Sequence, residues 1–143
     1  MTSSTIEIDL GHQPDFTILN YDYNSFLRVL YRGQILEDLV SVLNSDLSKV
    51  APASRANFVS DYFAFAENDA LTGINIERTL NLTQFMKMET EFIVWTMFDG
   101  GMSYIRNILK FTENLSVLDE YLQQLIAEYY NALGWAVDIS KVR

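Results

Sequence analysis

The chain has 143 residues, with 19 Asp and Glu against 10 Lys and Arg, a formal charge of −9, one histidine and no cysteine. Thiolate nucleophiles, soft-metal thiolate sites, and zinc sites of the common His/Cys kinds are therefore unavailable, and a single His12 limits acid–base chemistry near neutral pH. The acidic balance argues against nonspecific binding to nucleic acid or anionic lipid, because both need cations.

At 49% apolar and 13% aromatic the chain can bury a core, and its length suits one domain, 1–143. Residues 1–22 read as an extended arm. Ile6, Ile8 and Leu10 alternate at period two, Gly11-His12-Gln13-Pro14-Asp15 is turn chemistry, and Phe16-Thr17-Ile18-Leu19 resumes β composition. This predicts a β-hairpin or a pair of extended segments. His12 in that turn reads as a surface residue.

A helical bundle is expected over 24–134. The first helix, 25–49, carries Val29, Gly33, Leu36, Val40, Leu43, Leu47 and Val50 at alternating steps of four and three. Gly33 in that stripe suggests close approach of another backbone. Pro52 ends the helix, and a second follows at 54–66, capped by Ser54 and apolar around much of its girth. Asn81 and Gln84 resemble a capping box for a third helix, 82–98, with Phe85, Met88, Phe92 and Trp95 in one row. Asp99-Gly100-Gly101 predicts a turn. A fourth helix, 102–112, and a fifth, 116–133, complete the set, the last with Leu118, Tyr121, Leu122, Leu125 and Tyr129 on one face. Gly134 suits a C-terminal cap. The tail, 135–143, alternates from Trp135 to Ile139 and could pair with the N-terminal strand. The expected fold is mainly α: five amphipathic helices with a small β element built from the ends.

The longest strongly apolar run, Phe92 to Phe98, falls far short of the roughly 20 residues a membrane helix needs. The N-terminus lacks the charged and apolar regions of a secretory signal. These features predict a cytoplasmic or virion protein. No glycine falls into a phosphate-loop pattern, no carboxylate pair marks a hydrolase, and no cofactor or metal is expected. Arg28/Arg32 and Arg106/Lys110 each stand one helical turn apart and read as small solvated positive spots.

The acids gather where bases are missing. Glu113, Asp119, Glu120, Glu128 and Asp138 lie between Lys110 and Lys141. Glu120, Gln124 and Glu128 follow at four-residue steps opposite the apolar stripe of the last helix. Eight Tyr, nine Phe, two Trp and five Met exceed what a small core comfortably hides, and Tyr104 and Tyr130 sit off the stripes. Tyr is enriched at interfaces because it buries area while keeping a polar end. Glu113, Asp119, Glu120, Glu128, Tyr104 and Tyr130 are therefore the expected partner-binding residues. The partner would be a protein, basic in character, or a second copy in a homo-oligomer. The expected function is a non-catalytic assembly or adaptor subunit of a virion-type or homo-oligomeric complex. The alternative is an acidic inhibitor, of the immunity-protein, antitoxin or anti-defence kind, masking a basic nuclease or nucleic-acid-binding surface.

Overall fold

The computed structural model describes residues 5–9, 11–12 and 14–133. Six α-helices appear among them: α1 Gly33–Ser45, α2 Pro52–Ala66, α3 Asp69–Thr72, α4 Ile76–Leu82, α5 Phe92–Leu109 and α6 Asn114–Leu133. Three short 3-10 turns, Tyr21–Tyr23, Leu47–Lys49 and Gln84–Met88, fill the connections. The mainly α expectation holds.

The N-terminal hairpin does not form. No strand occurs among the described residues, and Ile6 and Ile8 stand in solvent. Asp9 Oδ1 accepts the Gly11 N–H at 2.8 Å, which satisfies that donor inside a local turn instead of across a ladder. The pairing expected for 135–139 lies outside the described residues.

α2 is the centre of the molecule. Ser54 to Val59 and Asp61 to Phe63 are all buried, as expected for a helix apolar around its girth. Pro52 does not merely end a preceding helix. It occupies the first turn of α2, where its missing N–H costs nothing. Phe58, Tyr62 and Phe85 lie ring to ring beneath Tyr31, and Phe63 meets Phe98 of α5 edge-on at 5.6 Å.

The first helix begins eight residues later than expected. Residues 24–32 run without regular structure, held by side chains of α2. The Asp61 carboxylate, 2% exposed, accepts the Val29 N–H at 2.8 Å and pairs with Arg28 at 3.1 Å. Tyr62 Oη donates to the Tyr31 carbonyl at 2.9 Å, and burial pushes that phenol up to about 12. Gly33 is needed for conformation, not close approach. Its φ is +58°, and a Cβ there would meet nothing within 4 Å.

Burial also pushes the Asp61 carboxyl above the ordinary carboxylate value, with the Val29 N–H and Arg28 offsetting only part of the cost. Between the ordinary value near 3.8 and the raised folded value, the folded state holds more protons than the unfolded. Stability from this group therefore falls as pH rises through that window. Asp61→Asn is expected to remove that slope. Urea titrations of both proteins across the window check it, and parallel pH profiles would refute it.

The third expected helix is replaced by α4, a 3-10 turn and a break at Glu89-Thr90-Glu91. Asn75, not Asn81, provides the cap: its Oδ1 accepts the Arg78 N–H at 2.8 Å. The break follows from a buried ion pair. Arg55 Nε and Nη2 donate to Glu89 Oε2 and Oε1 at 2.7 and 2.9 Å. Glu89, 0% exposed, also accepts the N–H groups of Thr90 and Glu91, each at 2.9 Å. Arg55 Nη1 donates to the carbonyls of Leu47 and Val50.

The expected turn at 99–101 is absent, and α5 runs straight through both glycines. The reason is packing. A Cβ on Gly101 would sit 2.2 Å from Phe63 Cγ, so the glycine lets α2 and α5 close together. No helix among the described residues is long and apolar enough to cross a membrane.

Candidate functional site

α5 and α6 form an antiparallel pair joined by a short turn. Thr112 closes it, with its N–H and Oγ1 both donating to the Leu109 carbonyl at 2.8 and 2.9 Å. One side of this pair carries an open groove of about 680 Å³. Such a volume lies in the range of small-molecule and peptide sites.

Its apolar lining comes from Phe98 and Met102 of α5 and Leu122 and Ile126 of α6. At one end Trp95 stacks on Tyr129, with ring centroids 6.1 Å apart and planes 10° from parallel. Both rings are fixed by the break before α5. Trp95 Nε1 donates to the Glu89 carbonyl at 3.0 Å, and Tyr129 Oη donates to the Thr90 carbonyl at 3.1 Å. Phe92, 82% exposed, stands at the lip. Towards the helix–helix turn, Arg106 Nη2 pairs with Asp119 Oδ1 across the groove. Asp99, Thr96 and Gln123 complete the polar lining. Arg106 has donors beyond the one given to Asp119, so the pair can orient a carbonyl or carboxylate without being broken.

The six expected partner-binding residues do not converge. Asp119 alone lines the groove, bound to Arg106. Glu120 and Glu128 point away on the outer side of α6, and Glu120 Oε1 accepts from Gln124 Nε2 at 3.3 Å. Glu113 is exposed just before α6, and its carbonyl accepts from Ser116 Oγ at 2.9 Å. Tyr104 and Tyr130 are exposed on α5 and α6 without lining the groove. Sequence reasoning missed Trp95, Arg106 and Tyr129. Arg106 was read with Lys110 as solvated surface, because its partner Asp119 lies 13 residues away on the next helix, and spacing along one helix does not show such a pair.

Residues 16–142 match the family model described as ERAP1-like C-terminal domain. Glutamyl aminopeptidase of Mus musculus is 30% identical over 121 residues, covering 84% of this chain and 12% of that protein. Glutamyl aminopeptidase of Bitis rhinoceros is 30% identical over 129 residues, 90% of this chain and 13% of that one. Membrane alanyl aminopeptidase of Heliothis virescens is 33% identical over 119 residues, 82% and 12% respectively. The chain thus spans about an eighth of the length of the curated relatives it matches. These matches overturn the expected virion-type assembly subunit and its alternative, the acidic inhibitor, since the similarity is to aminopeptidases. They equally overturn the cytoplasmic or virion location, one of the relatives being named a membrane enzyme.

Proposed function

Because the chain belongs to the ERAP1-like C-terminal domain family, we propose that it is a single, non-catalytic helical unit of an aminopeptidase, whose α5–α6 groove holds an apolar stretch of peptide. The groove carries this reading. It offers a lining that removes apolar side chains from water at about 25 cal/mol per Å². It also places one guanidinium and two carboxylates, Arg106, Asp99 and Asp119, where a peptide backbone or terminus needs partners.

The non-catalytic part rests on the groove's chemistry. Its titratable side chains are Asp99, Arg106, Asp119 and Tyr129, with no imidazole or thiol among them. His12 is exposed in the N-terminal turn. Among the described residues no group of three or more His, Cys, Asp or Glu could hold a metal ion.

Trp95 supplies the test. In a Trp135→Phe background it is the sole tryptophan. Titration with an acetylated Leu-Phe-Leu-Lys-Ala peptide should shift its emission saturably, and Arg106→Ala should weaken that binding about tenfold, the loss of one charge-assisted hydrogen bond. A flat titration would remove the groove as a peptide site. Zinc-dependent turnover of glutamyl- or alanyl-p-nitroanilide by the purified chain would overturn the non-catalytic reading.

A further inference from the structure

The turn between α5 and α6 holds a large aromatic ring out in water. Phe111 is 93% exposed, with Lys110 Nζ over it at 5.6 Å from the ring centroid. Val117, one turn into α6, is exposed as well, and neither residue lines the groove. A single exposed apolar residue is ordinary. What makes this one informative is its neighbour in sequence.

Asn114-Leu115-Ser116 is an Asn-x-Ser triplet with x other than proline, the acceptor pattern of N-linked glycosylation. The sequence holds one other such triplet, Asn81-Leu82-Thr83. Their settings differ. Asn81 lies in the last turn of α4, and its Thr83 is buried, with Oγ1 donating to the Thr79 and Leu80 carbonyls at 3.0 and 3.3 Å. Asn114 opens α6 on the hairpin turn, and both it and Ser116 are exposed. The Leu115 N–H donates to the Thr112 carbonyl at 3.4 Å and Ser116 Oγ to the Glu113 carbonyl at 2.9 Å, so the chain reverses tightly here. Phe111 stands three residues before the acceptor, around that same reversal. The position equivalent to Phe111 at the other triplet is Arg78.

We propose that Asn114 is an N-glycosylation site, and that the first sugar of its glycan lies on the Phe111 ring. The attachment is a group transfer. Asn114 Nδ2 bonds to the anomeric carbon of an N-acetylglucosamine, and the bond from that carbon to the diphosphate of a polyprenyl-diphosphate oligosaccharide breaks. The diphosphate leaves with the electron pair, and Nδ2 gives up one proton to a base of the transferring enzyme. One face of a pyranose ring carries mostly C–H groups, which suit the negative face of an aromatic ring. Lys110 takes one face of Phe111 and leaves the other to the sugar, whose hydroxyls stay in water. The inference is independent of the peptide groove, because Phe111, Asn114 and Ser116 are not among its lining.

The transfer needs a chain delivered to the lumen of the secretory pathway, so the test supplies that delivery. The 143-residue chain is expressed in insect cells behind a cleavable secretory leader and collected from medium and lysate alike. Peptide N-glycosidase in heavy-oxygen water converts each glycosylated asparagine to a labelled aspartate, which peptide mass spectrometry locates. Label is expected at Asn114, and Asn114→Gln should lose one glycan by intact mass, whatever Asn81 carries. Thermal unfolding then reads the contact with the ring. Phe111→Ala should lower the midpoint of the glycosylated chain by roughly 2–4 °C. In an Asn114→Gln background the same change should leave the midpoint where it was, since an exposed ring with nothing on it stabilises nothing. Unlabelled Asn114 in every fraction would overturn the site. Label at Asn114 with equal Phe111→Ala shifts in both backgrounds would overturn the sugar–ring contact.

Discussion

Glu89→Ala is expected to destabilise the chain by about 3–5 kcal/mol, the cost of leaving a buried charge without its partner. Three consequences combine at this position. Arg55, buried within α2, loses a bidentate carboxylate at 2.7 and 2.9 Å. The N–H groups of Thr90 and Glu91 lose their acceptor. The backbone that places Trp95 and Tyr129, through the carbonyls of Glu89 and Thr90, loses its anchor. A double variant, Arg55→Leu with Glu89→Leu, separates these effects. Replacing both charges by apolar groups is often neutral in other proteins. Here it should recover only part of the loss, because the Val50 carbonyl and the Thr90 and Glu91 N–H groups lose the partners that Arg55 and Glu89 gave them. Urea unfolding followed by circular dichroism measures all three proteins. A loss below about 1 kcal/mol for Glu89→Ala, the level of an exposed pair, would show that this ion pair is not buried as described.

That ion pair marks where the sequence stopped being readable. Helix content and the apolar faces of α1, α2 and α6 follow from periodicity, which depends on residues three and four apart. The break before α5 depends instead on Arg55 and Glu89, which are 34 residues apart. Spacing alone puts Glu89 and Glu91, two residues apart, on different sides of a helix and says nothing of Arg55. The same holds for residues 24–32. Their stripe fits a helix, yet Asp61 and Tyr62 satisfy their backbone from 31 and 32 residues away. Tertiary partners outweighed local propensity in both places. The groove was half legible: Leu122 and Tyr129 lay on the predicted stripe, and Asp119 was singled out. What faces them from α5 was hidden by the supposed turn at Gly100-Gly101. Two adjacent glycines are a strong turn signal, but glycine also serves where a neighbouring ring needs the space of a side chain, and only packing distinguishes the two.

Substitutions at those glycines should therefore act in opposite directions. Gly101→Leu is expected to cost about 3 kcal/mol, at the upper end of ordinary overpacking. Even the first atom of the new side chain falls 2.2 Å from Phe63 Cγ and within 2.5 Å of both Cδ atoms. The obstacle is the root of the ring and not its far edge, so Phe63 cannot swing clear without losing its edge-on contact with Phe98 at 5.6 Å. Nor can α5 move back freely, since Val94, Phe98, Met102 and Ile105 are buried along the same helix. Gly100→Ala, one residue earlier, meets open space and gains helix propensity, and should stabilise the chain by about 0.5–1 kcal/mol. Denaturation midpoints of the two variants at low protein concentration decide the matter. If both stabilise, α2 and α5 do not approach through Gly101. If both destabilise, the segment is a turn after all, and the helix does not pass through it. A double variant carrying Gly101→Ala and Phe63→Ala makes the assignment specific. Removing the ring should restore tolerance of the new methyl, so the pair costs less than the sum of its members, as expected only for residues in contact.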